Sequence, residues 1–233
     1  MREVAPGDVE PEMRRPVDRG GSLRDAERRI ARMPTAILSD ALGRLGTMGS
    51  AIKAVVSPIR LIGVAHTVRC YPGDYLTLLK ALAEAREGEV LVVDGGGMAE
   101  AALIGRLMAL EARRKGVRGF VIDGAVRDVR DLADVGIPVF ARAVTPRIGT
   151  AEHLVQTQVP IICGGAPVQP GDILHGDEDG IVVFSARRLR EVLARALEIE
   201  RNEAEAARKL KKGRPLSELT HLFDRLIELR KRG

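Results

Sequence analysis

Two short, unbroken apolar runs constrain this chain most. Val90-Leu91-Val92-Val93 and Phe120-Val121-Ile122 each follow a glycine-containing turn and each end in an aspartate, Asp94 and Asp123. A strand with no polar side has no face to show to water, so it must be covered on both faces. That is the situation of a parallel sheet whose crossovers are helices. Helical spacing in residues 75–86 (YLTLLKALAEAR) precedes the first run, and a helical stretch is expected near 98–115 before the second. A short helix over 129–135 then leads into a third strand, IPVFARAV (137–144). The expectation is an α/β fold with a parallel core near residues 90–140.

The flanks are read from periodicity and caps. LIGVAHTVRC (61–70) alternates as a half-buried strand does. Over 34–46, Pro34 or Thr35 suits a helix start, Ile37, Leu38, Ala41, Leu42 and Leu45 recur at helical spacing, and Gly46 suits the stop. GDILHGDEDGIVVF (171–184) reads as two strands joined by an acidic turn containing Gly180. From Ala186 the pattern is helical, with Ser185 as N-cap. Residues 214–231 read as a second helix with Leu216, Leu219, Leu222, Phe223 and Leu226 on one face. The expected organisation is a flexible arm and short charged helix (1–33), one α/β domain (34–185) and a helical C-terminal extension (186–233).

Composition excludes several classes of function. Aromatic residues are 3% and Trp is absent, so the core rests on Val, Ile, Leu and Ala, and base-stacking platforms are disfavoured. The net charge of +5 suggests a polyanion partner, but its distribution does not. Residues 186–233 hold 14 Lys and Arg against 8 Asp and Glu, whereas 34–185 hold 15 against 17. No nucleic-acid partner is therefore expected. Cys70 and Cys163 lie far apart without CxxC spacing, which suits buried small hydrophobes at strand ends rather than a disulfide or zinc site. The N-terminus has no apolar h-region and no run of 18 apolar residues exists, so no secretory signal or membrane span is expected and the cytoplasm is the default location. His66, His153, His175 and His221 show no metal-ligand spacing, and no serine sits in a GxSxG context.

Two loops leave carboxyl ends of the buried strands, where ligands of parallel sheets gather. Asp94-Gly95-Gly96-Gly97 stands between a strand and an expected helix, a placement suited to anion binding or simply to a tight turn, with Asp123 placed as a ribose-binding acid would be. The segment Asp123-Gly124-Ala125-Val126-Arg127-Asp128-Val129-Arg130-Asp131 is more pointed. Arg127 beside Asp128 could be a surface ion pair. Alternatively, Asp128 can hold a hard divalent cation while Arg127 clamps a carboxylate, which together describe a site for a chelated 2-oxo acid.

LSDALGRLG (38–46), YPGDYLTLLKALAEAREGEVLVVDGGG (71–97), GFVIDGAVRDVRDLADVGIPVFARAV (119–144) and PGDILHGDEDGIVVF (170–184) resemble the RraA-like family, over roughly residues 34–212. The resemblance implies a swivelling β/β/α domain with a helical C-terminal tail, assembled as a homotrimer or hexamer with sites between subunits. It implies one of two functions. One is a pyruvate aldolase acting on 4-hydroxy-4-methyl-2-oxoglutarate or 4-carboxy-4-hydroxy-2-oxoadipate, which also decarboxylates oxaloacetate. The alternative is a regulator of ribonuclease activity, an interaction protein without lyase activity. A methyltransferase label attached to many members, which would use the DGGG loop, is not supported by the family's chemistry.

Site roles follow from the same resemblance. Arg127 matches the residue that holds the pyruvyl carboxylate and enolate oxygen. Asp128 matches the ligand of a divalent metal, Mg or Mn. Gly105 and the backbone N–H groups of Leu107 and Met108 match the carboxylate cradle. Asp131 matches a frequent neighbouring acid, and Glu203 an acid sent in from an adjacent subunit. The second catalytic position is 106, where the aldolases carry Asp or Glu to orient a water for proton transfer. This chain has Arg106, which stays protonated and accepts no hydrogen bond. Decarboxylation needs no such base, so it is expected to survive the change better than aldol cleavage.

Overall fold

The computed structural model describes residues 22–56 and 58–231. In chain order it contains α1 (Ser22–Ile30), α2 (Thr35–Ala41), β1 (Lys53–Val56), β2 (Leu61–Arg69), α3 (Leu76–Glu84), β3 (Glu89–Asp94) and β4 (Ala102–Ile104). Next come α4 (Arg106–Arg114), β5 (Gly119–Val126), α5 (Val129–Val135), β6 (Val139–Val144), β7 (Gln156–Thr157), β8 (Ile161–Cys163), β9 (Ala166–Val168), β10 (Ile173–Gly176) and β11 (Ile181–Phe184). A 3-10 turn (Ala186–Arg188) leads into the long α6 (Leu189–Lys211), followed by α7 (Leu216–Leu219) and α8 (Leu222–Arg230). The arm expected over residues 1–21 lies outside the described residues.

The main sheet has the order β1-β6-β5-β3-β2-β10-β11, with β4 added to β5 and β7 to β2. Strands β2, β3, β5 and β6 are parallel, and β1, β10 and β11 pair antiparallel at the two flanks. The two apolar runs lie side by side, with Asp94 opposite Asp123 at one end of the ladder. Their alternation explains why no polar residue is tolerated. Leu91, Val93, Phe120 and Ile122 point into a core beneath α3, α4 and α5, where Leu78, Leu82, Ala109 and Leu132 meet them. Val90, Val92 and Val121 point into a second core closed by the β8–β9 hairpin and by β10 and β11. A third core joins α1, α2 and α6 to Ile173, Val182 and Phe184, so the first third of α6 is anchored to the domain.

Two expectations from sequence are corrected. The stretch 98–115 is not one helix: Ala102–Ile104 forms β4, and α4 begins only at Arg106. The three apolar residues fit helical spacing, but β5 continues past Asp123 to Val126 and offers an open strand partner, with Ala102 opposite Ala125. The DGGG loop therefore does not lead into a helix. The second correction concerns residues 214–231, which break at His221, whose backbone is left-handed (φ 51°), into α7 and α8. The two cysteines are buried as expected, Cys70 just after β2 and Cys163 at the end of β8. Burial pushes the Cys70 thiol up to about 12. Ser185 accepts a hydrogen bond from the Arg187 N–H at the entry to the C-terminal helices.

Candidate functional site

Gly105, Arg106, Arg127 and Asp128 meet where β4 passes into α4 and β5 into α5. The Arg127 N–H donates to the Ile104 carbonyl at 3.0 Å, which fixes the two strand ends against each other. Asp128 then adopts a left-handed backbone (φ 61°). Aspartate visits that region more readily than most residues, and outliers of this kind gather at functional sites. Asp128 occupies the N-cap of α5 but does not cap it with its side chain. Its Oδ2 instead accepts the Arg106 N–H at 3.0 Å. Arg127 Nε stands 3.7 Å from the same oxygen, too far for a hydrogen bond. That Nε is buried and has no hydrogen-bond partner among the described residues. A buried guanidinium N–H left unmade is costly unless something else accepts it.

Gly105 permits this geometry. Its backbone is extended (φ −149°), which any residue can adopt, so conformation does not require glycine. Space does: a Cβ here would overlap Asp128 Oδ2 and press on Arg127 Cγ and Nε. The start of α4 contributes further. The Ala109 N–H closes the first helical bond to the Gly105 carbonyl, and no acid lies in the first turn. The N–H groups of Leu107 and Met108 sit among the unpaired donors of that turn. The Leu107 side chain is 81% exposed, while Met108 packs on the core.

A second polar cluster, not identified from sequence, braces the sheet end. Arg142 Nε donates to Asp123 Oδ1 at 2.5 Å, and the Gly164 N–H donates to Asp123 Oδ2 at 2.8 Å. The hydrogen bond to Asp123 holds the Arg142 pKa above its usual value. Both Asp123 oxygens are thus engaged by protein partners, a bracing role rather than the ribose-binding one considered for it. Asp74 is a third such group. Its Oδ1 accepts the Leu76 N–H, and its Oδ2 gathers the Thr150 hydroxyl, the N–H groups of Glu152 and His153, and His153 Nδ1. Burial raises its pKa, but these donors outweigh it and hold the carboxyl at about 2. The loop so captured flanks β4: the Ala102 N–H donates to the Arg147 carbonyl, and the Gly149 N–H to that of Ala102. The only sequence signal for Asp74 was the YPGD turn, which gave no hint of partners 76 residues or more away.

Of the residues singled out from sequence, Gly105, Arg106, Arg127 and Asp128 are brought together. Asp131 follows in the first turn of α5. Glu203 is exposed on α6, which packs on α1 and α2, and among the described residues no hydrogen bond or ion pair joins it to this cluster. Among the described residues no three His, Cys, Asp or Glu side chains form a metal cage. No helix there is long and apolar enough to cross a membrane.

A sheet of mixed direction wrapped by helices, with an Arg-Asp pair at the carboxyl end of a central strand, defines a class of small α/β proteins. Comparison places the chain within it. The model of the RraA-like family (Aldolase/RraA) matches residues 35–183, and the protein belongs to that family. A protein of Halalkalibacterium halodurans, provisionally named 4-hydroxy-4-methyl-2-oxoglutarate aldolase, is 38% identical over 164 residues, 70% of this chain and 78% of that one. The solved structure of the RNA-processing inhibitor RraA from Thermus thermophilis is similar at a TM-score of 0.60 and 36% identity, covering 65% of this chain and 92% of that one. An uncharacterised Pseudomonas syringae protein is similar at a TM-score of 0.73 and 29% identity, covering 84% and 96%. The swivelling β/β/α fold implied by the resemblance is the fold of these relatives.

Proposed function

We propose that this protein is a divalent-metal-dependent carbon–carbon lyase acting on 2-oxo diacids through a pyruvate enolate. The reaction is oxaloacetate decarboxylation, retro-aldol cleavage of 4-hydroxy-2-oxo acids, or both. The observation that carries this reading is Arg127 Nε, a buried atom 3.7 Å from the Asp128 carboxylate with no hydrogen-bond partner among the described residues. An N–H donor in that state suits an anionic oxygen supplied by a ligand. The assigned activity of the Halalkalibacterium halodurans relative points the same way.

The donor set fits a hard cation. Asp128 spends Oδ2 on the Arg106 N–H, and among the described residues no hydrogen bond reaches its other oxygen. Mg²⁺ or Mn²⁺ is served by one or two carboxylates, with water and substrate oxygens completing the shell. When bound at Asp128, such an ion supplies Lewis acidity to the 2-oxo group. Arg127 holds the 2-oxo acid head and places fixed positive charge where charge develops on its oxygen. The N–H groups of Leu107 and Met108 face the substrate carboxylate from the start of α4. Asp131 stands nearby in the first turn of α5, and Glu203 serves the site of a neighbouring subunit in a homotrimer or hexamer. The protein works in the cytoplasm on small molecules.

A coupled pyruvate assay tests this. Purified protein is given oxaloacetate, then a branched 4-hydroxy-2-oxo diacid, with Mg²⁺ or Mn²⁺ and again with chelator. Turnover lost on chelation and in Asp128→Ala is the expected result. Absent or metal-independent turnover overturns it. The second reading, a regulatory interaction protein without lyase activity, is favoured by one observation: Arg106 occupies the position where the aldolases carry an acid.

A further inference from the structure

We infer that Asp74 is a positioning residue for the lyase site: through a strap of loop, its buried carboxylate sets where the start of α4 stands relative to Asp128. This rests on the lyase reading above and adds the device that keeps the two walls of the site in register. The site has one slender joint. Asp128 does not cap its own helix, and among the described residues the one hydrogen bond to its carboxylate comes from the Arg106 N–H. Arg106 follows β4 after the single residue Gly105. Any displacement of β4 therefore moves that donor, together with the Leu107 and Met108 N–H groups behind it.

β4 is three residues long, and its register on β5 is irregular between Ala102 and Ile104. On its other side both backbone groups of Ala102 are spent on segment 147–149. The Ala102 N–H donates to the Arg147 carbonyl at 2.8 Å, and the Ala102 carbonyl accepts the Gly149 N–H at 3.0 Å. That segment belongs to no helix or strand, and residues 150–156 beyond it are exposed. Exposed irregular chain opens easily unless something ties it down. Two fully buried side chains at the entry to α3 do so. Asp74 Oδ2 accepts the Thr150 hydroxyl and the Glu152 N–H, each at 2.7 Å, and the His153 N–H at 3.2 Å. Thr77 Oγ1 accepts the Val155 N–H at 2.9 Å. The main chain adds the Thr150 N–H to the Gly73 carbonyl and the Tyr75 N–H to the Thr150 carbonyl.

A buried carboxylate is a costly means of attachment, tolerable only because donors surround it. An apolar side chain would hold the strap at less cost but without direction. Hydrogen bonds fix distance and angle, and a satisfied network specifies one arrangement. The path to the site is continuous: Asp74 to Thr150, Gly149 to Ala102, β4 to Gly105, and the Arg106 N–H to Asp128. A displacement of about 1 Å at a reacting centre can cost on the order of 10²-fold in rate.

The test uses four variants of the full chain, each studied well below its melting temperature. Asp74→Asn sets an NH₂ group among the donors. Thr150→Val removes one donor, and Thr150→Ser keeps the hydroxyl. Gly149→Ala leaves Asp74 intact but pries at the strap, because its Cβ would overlap the Gly73 carbonyl and press on that of Ala102. Without metal, amide hydrogen exchange at Ala102 and Arg106 should quicken about ten-fold or more in Asp74→Asn and Gly149→Ala, with Val92 and Val121 in the central strands unchanged. Mn²⁺ affinity, read by electron paramagnetic resonance, and kcat on oxaloacetate should each fall about ten-fold. Thr150→Val should move both the same way, and Thr150→Ser should stay near wild type. Asp74→Asn combined with Thr150→Val should be little worse than Asp74→Asn alone, as for two members of one network. A lowered Tm with exchange at Arg106, Mn²⁺ affinity and kcat all unchanged would make Asp74 merely structural; it overturns the inference and leaves the lyase reading standing. A wild type that neither binds Mn²⁺ nor turns over oxaloacetate overturns both.

Discussion

At Gly105 one hydrogen atom in place of a methyl group decides whether Asp128 and Arg127 can share a wall. The backbone there is extended, so Gly105→Ala introduces crowding and no conformational strain. Asp128 is about one-third exposed at its side chain and can swing outward, so the fold should tolerate the change. The expected result is a thermal melt close to wild type with Mn²⁺ affinity, read by electron paramagnetic resonance, reduced about ten-fold or more. An unchanged affinity would show that the carboxylate's present position does not matter for the metal. The same residues show where sequence reading stops. The Arg127-Asp128 pair was legible because it follows an apolar strand in a recognisable segment. That Asp128 forgoes capping its own helix to bind the Arg106 N–H, across 22 positions, depends on a left-handed backbone that no local pattern announces.

At the level of elements, β4 and the loop beside it position the site, and both were missed. Ala102, Leu103 and Ile104 read as part of a helix because three apolar residues fit either period. The arbiter was the free edge of β5 beyond Asp123, which only the assembled sheet provides. Asp74 secures this region by drawing the 150–153 segment onto the start of α3. Asp74→Asn keeps the shape but loses an acceptor among crowded donors, and should cost about 2–4 kcal/mol in urea unfolding at pH 7. The pH dependence has a definite sign. The folded carboxyl sits at about 2, below the ~3.9 of an unfolded aspartate. Its contribution is therefore complete above the unfolded value and is lost as pH falls toward 2. The gap between wild type and Asp74→Asn should narrow from pH 5 to pH 2, and a gap that stays constant would argue against the carboxylate network as its source.

On the scale of the whole molecule, the domain is held by two cores that sandwich a parallel sheet and a third that ties on α6. Beyond α6, α7 and α8 pack chiefly on each other, with Leu216, Leu222, Leu226, Ile227 and Leu229 exposed. Deleting residues 214–233 should therefore shift the Tm of the domain by less than about 2 °C in differential scanning calorimetry. A larger loss would mean that the tail packs on the domain or on another copy in solution. The excess of positive charge in the composition belongs to residues 186–233 as a whole, α6 included, and not to the central domain. The sequence by itself determined the parallel core, because short apolar runs with no polar side alternate there with helical stretches, and it located the Arg-Asp loop at a strand end. Only the tertiary structure decided that β4 is a strand, that the DGGG loop is no helix cap, and that Gly105, Arg106, Arg127 and Asp128 converge. Those outcomes turn on open strand edges and on donors competing for one carboxylate, which exist only once distant segments have met.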